Sequence, residues 1–153
     1  MSESLKMSQG DAVELLGAIN EALTQTDPKI KFDLQVKLIN TKAKLRPLVE
    51  AYFEMVEGAK VRGKDAMLQY CAKIVDEDGK ETPKLSPDGK NYLGLARGQS
   101  PEYDAVMTEL NASLKAESKK EIEVAPCWLK ESDLPHTVTG MVTEQLMRLV
   151  KQE

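Results

Sequence analysis

Between Lys31 and Cys71 the chain reads KFDLQVKLINTKAKLRPLVEAYFEMVEGAKVRGKDAMLQYC, a stretch in which apolar side chains recur every three or four positions and no turn signal intervenes. Leu34, Leu38, Leu45, Leu48, Tyr52, Met55 and Val56 fall on one stripe, and Phe32, Val36, Ile39 and Ala43 widen it. The pattern predicts one long helix buried along a broad side. At about 1.5 Å per residue it would be roughly 60 Å long, more than the diameter of a domain of this size. Such a rod must kink or project. Pro47 is the expected kink, because it removes the amide that would bond the Ala43 carbonyl and its ring crowds that group. Gly58 and Gly63 weaken the far end.

The remaining elements are read outward from this helix. Leu5-Lys6-Met7 alternates as a short strand. Ser8 is a good N-cap with Asp11 three residues on, and Ala12, Leu16, Ile19 and Leu23, flanked by Val13 and Leu15, make the apolar face of a helix from Gln9 to about Leu23. Thr24 to Pro28 breaks it, Thr26 or Asp27 caps the long helix, and Pro28 takes its permissive first position. So short a connection predicts a helical hairpin, with the first helix folded back on the long one as far as about Leu45.

After Cys71 the segment VDEDGKETPKLSPDGKNYLGLARGQSP is dense in Gly and Pro, so residues 75–100 are expected to be loop. Within it Lys84 to Leu93 folds as a small hairpin around SPDG, with Pro87 at the first central turn position and Gly89 at the left-handed one. Ser100-Pro101-Glu102 starts a third helix through Tyr103, Val106, Met107, Leu110 and Leu114. Glu121 to Ala125 alternates, and its pairing with Leu5–Met7 would tie the N-terminus to the last third of the chain. A closing helix, capped by Thr137 or Thr139, buries Val142, Leu146, Leu149 and Val150. The fold class is therefore mainly α: a single helical domain of 153 residues built on a helical hairpin with one long kinked helix, two further helices and a minor two-stranded β element.

Composition narrows function mostly by exclusion. A net charge of -4 gives no overall attraction for phosphate backbones or anionic lipid, and no apolar run reaches the roughly 18 residues that span a bilayer. Neither nucleic acid nor membrane is therefore expected as a partner. Lys37, Lys42, Lys44 and Arg46, and further on Lys60, Arg62 and Lys64, are interleaved with Glu50, Glu54 and Glu57 and read as a solvated helix face. MSESLKMSQGDA has no basic start followed by a greasy run, so no signal peptide is expected.

Catalytic, cofactor-binding and metal-ligating constellations are not found. His136 is the single histidine and reads as part of a capped turn. Cys71 and Cys127 read as small buried hydrophobes, and two cysteines cannot make a disulfide framework. Asp76-Glu77-Asp78-Gly79 is acidic like a calcium loop, but its glycine comes too early and no glutamate holds the twelfth position. No phosphate-binding glycine loop and no GxSxG occurs.

The order of these elements resembles a family of small tailed-bacteriophage proteins of unknown function. The resemblance is carried by the first amphipathic helix, the entry KIKFDLQVKLINTKAKL, the turn VDEDGKE, a Glu- and Leu-rich helix, the strand KEIEV and the closing LKESDLP; the longer loop over 79–100 and Pro47 depart from the pattern. It implies phage origin and a compact helical fold, and brings no site residues with it. The expected function is that of a non-enzymatic phage protein acting by self-association or protein binding, as a virion or assembly component. The alternative is a small host-directed inhibitor of a bacterial enzyme or defence protein. The expected place is the host cytoplasm or the virion, and the expected partner a second copy, another phage protein or a host protein.

The apolar residues that the chain's own elements cannot easily cover lie beyond Pro47. Tyr52, Met55, Met67 and Tyr70 are therefore the expected protein interface, with Tyr103, Met107 and Leu110 of the third helix supplying part of the cover.

Overall fold

A computed structural model describes residues 3–24, 30–135 and 140–151. It is 61% helical, with four α-helices and two small two-stranded sheets. The elements in chain order are β1 (Leu5–Ser8), α1 (Gln9–Leu23), α2 (Phe32–Tyr70), β2 (Lys73–Val75), β3 (Glu81–Pro83), α3 (Pro101–Ser118), β4 (Glu121–Val124) and α4 (Gly140–Leu146), with short 3-10 turns at Glu131–Asp133 and Met147–Leu149. The residues named for the caps at Thr26 or Asp27 and at Thr137 or Thr139, Pro28 and the turn at His136 lie outside the described residues, but α2 begins at Phe32, with Ile30 and Lys31 outside it, and not at Pro28 as expected. The chain, read from its sequence as one domain, divides into two compact units: a terminal unit, made of the residues through Tyr52 with those from Glu117 onward, and a central unit, Phe53–Ala116.

The terminal unit holds the core. Ser8 has the extended backbone of an N-cap and its Oγ accepts from the Asp11 N–H at 3.1 Å, so α1 begins where its first free amide finds a partner. β1 pairs antiparallel with β4 in the register Leu5↔Val124 and Met7↔Ile122. Gln9 continues the tie, its N–H donating to the Lys120 carbonyl at 2.8 Å and its buried side-chain amide donating to the Glu117 carbonyl at 3.0 Å and carboxylate at 2.9 Å. Of the helix pairs, α1 and α4 run closest along their backbones. The first part of α2 joins the same cluster through Leu34, Leu38, Leu45 and Val49, which pack with Leu15, Ile19, Leu146 and Leu149.

Thr41, on the buried face of α2, is fully enclosed, and its Oγ1 accepts from the Cys127 N–H at 3.0 Å. That contact gives the part-buried Cys127 amide a partner. Lys44 donates to the Ala125 carbonyl at 2.9 Å just before it, and Leu129 donates to the Leu149 carbonyl at 2.8 Å just after. The segment that follows β4 is thus stitched to α2 and to the C-terminal turn.

One expectation about the buried face of α2 is corrected. The residues expected to widen its buried stripe are exposed: Phe32 at 76%, Ile39 at 53%, with Val36 and Ala43 beside them. The elements of the terminal unit approach α2 along the Leu34, Leu38, Thr41, Leu45 line only, so apolar character on the neighbouring face finds no cover there. Pro47, the residue expected to kink the helix, lies inside α2, which runs on to Tyr70. The Ala43 carbonyl that loses its donor belongs to an exposed residue.

The central unit contains the second half of α2, most of α3 and two short hairpins. β2 pairs antiparallel with β3, Lys73↔Pro83 and Val75↔Glu81, so the expected single β element is in fact two sheets. The Asp76–Lys80 turn between these strands is closed by Asp76 N–H to the Lys80 carbonyl at 2.9 Å, with Gly79 at φ +80°. The Lys84–Leu93 hairpin forms as expected around Leu85↔Tyr92, and Gly89 takes φ +73°. Ala72 links the two hairpins: its N–H donates to the Leu93 carbonyl and its carbonyl accepts from the Lys84 N–H, both at 2.8 Å. Gly94 lies against this junction with φ +84°, and an added Cβ there would sit 2.8 Å from the Ala72 nitrogen.

Candidate functional site

The second half of α2 and the facing side of α3 border an open apolar groove of about 340 Å³ within the central unit. From α2 it takes Val56, Ala59, Lys60, Gly63, Lys64 and Met67, residues three, four and seven apart that share one helix face. From α3 it takes Tyr103, Met107, Leu110, Asn111 and Leu114 on the same logic. The start of α3 is fixed by Ser100, whose buried Oγ accepts from the Tyr103 N–H at 3.2 Å, with Pro101 at the first helical position. That cap sets the phase of α3 and so turns Tyr103, Met107 and Leu110 to the groove. Gly63 is buried at its floor, and Met107 Sδ lies 3.7 Å from where a Cβ of residue 63 would be.

Around this groove little is fully enclosed. Among the described residues of the central unit the buried apolar side chains are Ala66, Cys71 and Leu110, while Val56, Met67, Tyr103, Val106, Met107 and Leu114 are half-buried. Tyr52, Met55, Met67 and Tyr70, the interface expected from the sequence, are likewise all half-buried. Of these Met67 lines the groove; Tyr52, Met55 and Tyr70 are not among its lining residues. The lysines on its edge had been read as a solvated face, and Gly63 as a weak point of the helix. Their position beside α3 has no sequence signal, since it depends on where α3 packs.

Three basic side chains of α2 have ion-pair partners. Lys37 pairs with Asp133 at 3.1 Å, Lys60 with Glu57 at 3.1 Å and Arg62 with Glu109 at 4.0 Å. The Lys130 N–H and the Lys37 ammonium hold the Asp133 carboxyl below its usual range. Glu117 is held low likewise by Lys120 and then by the Gln9 amide, and Asp88 by the Ser86 hydroxyl and the Lys90 N–H.

The residues weighed for chemistry are engaged otherwise. Cys71 is buried, and its Sγ donates to the Leu68 carbonyl at 3.7 Å with the Lys73 ammonium 3.1 Å from the sulfur. In the acidic turn, Asp76 Oδ1 accepts from the Asp78 and Lys80 N–H groups at 2.9 and 2.8 Å, closing its own loop. Among the described residues no group of three or more His, Cys, Asp or Glu side chains is placed to hold a metal ion. None of the described helices is long and apolar enough to cross a membrane.

A second cavity, of about 430 Å³, lies in the terminal unit between Glu3, Ser4, Leu5, Trp128, Met147, Arg148 and Val150. Its charged groups are already matched, Arg148 with Asp11 and Glu3 with Lys151, each at 3.5 Å. The central groove, larger in apolar content though smaller in volume, is the better candidate for a recognition surface.

No protein-family model, no curated protein and no solved structure matches this chain.

Proposed function

We propose that this is a non-enzymatic protein of a tailed bacteriophage that works by binding protein, either a second copy of itself or another component, in the virion or its assembly. The observation that carries the reading is the contrast in burial: the central unit presents Met, Tyr and Val side chains along an open groove and encloses three apolar residues among those described. Apolar surface left half-covered between helices is what helix-in-groove recognition uses, and Met adapts to irregular partners. The phage origin rests on the order of elements and motifs along the chain.

Light scattering and pull-down from infected cells test the binding itself. The double substitution Met55→Lys and Met67→Lys is expected to abolish the oligomer or complex while leaving the helical circular dichroism signal intact. A wild-type chain that is monomeric and recovers no partner overturns the reading. Mass spectrometry of purified particles then places the protein: abundant copies support a virion or assembly role, and absence together with early expression supports the host-directed inhibitor.

A further inference from the structure

Resting on that reading, we infer that the central groove accepts an acidic amphipathic helix of a partner protein, apolar along the stripe that enters the groove and carrying Asp or Glu on the edge that meets α2. The argument is one of charge and shape together. The whole chain carries -4, yet the charged side chains lining this groove are Lys60 and Lys64, with no carboxylate among the lining residues. They stand four residues apart on α2 and so project side by side along one edge, matching two carboxylates that are themselves four apart on a facing helix.

Neither ammonium is held by a strong ion pair among the described residues. Lys60 has the exposed i,i+3 contact with Glu57, a type of pair worth little in water, and among the described residues Lys64 has no ion-pair partner. The floor of the groove is apolar on both walls, and its two Met side chains, Met67 and Met107, adjust to a ligand's shape. Val56 to Met67 on one wall and Tyr103 to Leu114 on the other each span about 16 Å of helix, which fits a partner of about three turns. A basic or neutral helix would fill the same floor without satisfying the lysines, so charge selects among apolar helices that all fit by shape.

The test uses the full chain and three fluorescein-labelled helical peptides about fourteen residues long, roughly 20 Å as helix. They share one leucine stripe at i, i+3, i+4 and i+7 and differ in their flanking positions, which are all Glu, all Gln or all Lys. Anisotropy titration at low ionic strength is expected to rank them Glu, Gln, Lys, with the Glu peptide about tenfold tighter than the Lys peptide and the gap shrinking as salt is added. The double variant Lys60→Glu and Lys64→Glu, whose fold is checked by circular dichroism and thermal unfolding, is expected to reverse the order. If all three peptides bind equally, or the variant keeps the wild-type order, the acidic-partner inference fails while protein docking at the groove stands. If none binds and light scattering shows a dimer, a second copy occupies the groove and the inference is overturned. If none binds and the protein is a monomer without partners, the inference and the functional reading fall together.

Discussion

The two units of this chain use the same helix in opposite ways. Through the first part of α2 the terminal unit buries Leu34, Leu38, Leu45 and Val49 in a cluster that also draws on β1, α1, β4, α4 and the C-terminal turn. Through the second part of α2 the central unit sets Val56 and Met67 beside a groove and leaves them half-exposed. The residue types differ little. What differs is how many elements converge, since two helices and two short hairpins cannot surround an apolar stripe, whereas helices, a sheet and a C-terminal return can. A region without enclosure contributes little hydrophobic free energy of its own, and a partner that supplies the missing cover gains it on binding.

The sharpest way to break this contrast is to remove equivalent apolar bulk from each side. Leu38→Ala, at a site with no exposure, is expected to cost about 2–5 kcal/mol by urea unfolding, while Met67→Ala is expected to cost well under about 2 kcal/mol. Equal losses would show that the central unit has a core as tight as the terminal one. Next in size, Gly94→Ala forces a Cβ against the Ala72 backbone at a positive φ, and should destabilise by about 2–3 kcal/mol. Hydrogen exchange should register that loss at the Ala72 and Leu93 amides and leave Asp11 and Cys127 protected as before; uniform loss across both units would mean that they unfold as one.

A smaller change of opposite sign tests the exposed part of the same helix. Gly58 lies inside α2 with open space where a Cβ would go, so Gly58→Ala should stabilise by about 0.5–1 kcal/mol, read as a higher unfolding midpoint. The smallest expected effect belongs to the terminal unit. Asp133 is held below its ordinary pKa of about 3.9, so its contribution is present above that value and lost as pH falls through the lower, folded one. Asp133→Asn should therefore be slightly less stable than wild type at neutral pH, with the gap closing on acidification below about pH 4. A gap that persists in strong acid would mean that the charged contacts of Asp133 with the Lys130 N–H and the Lys37 ammonium are not its source.

Much of the fold was legible because the signals that start and stop helices are local. The Ser8 hydroxyl with Asp11, the Ser100-Pro101 entry to α3 and the three-four period through α2 each report on a few neighbouring atoms, and α1 and α3 start where those residues put them, whereas α2, expected to open at Pro28, opens at Phe32. The pairing of Leu5–Ser8 with Glu121–Val124 was readable from two alternating runs. β2 and β3 were not readable, since Ile74 and Val75 are adjacent, apolar and both exposed, and so lack the alternation that marks a half-buried strand. For the candidate site, the sequence pointed to the helix beyond Pro47 and to the help of Tyr103, Met107 and Leu110. It missed Lys60, Lys64 and Gly63, whose place at the groove is set by α3.

By itself, then, the sequence determined where the helices lie and how they are phased, because capping and periodicity are properties of a chain segment with its nearest neighbours. Tertiary structure alone decided which apolar residues are enclosed. Phe32 and Leu34 are two residues apart and comparably apolar, yet Phe32 is 76% exposed and Leu34 3%, because burial depends on what other elements bring to a surface and on how many of them reach it.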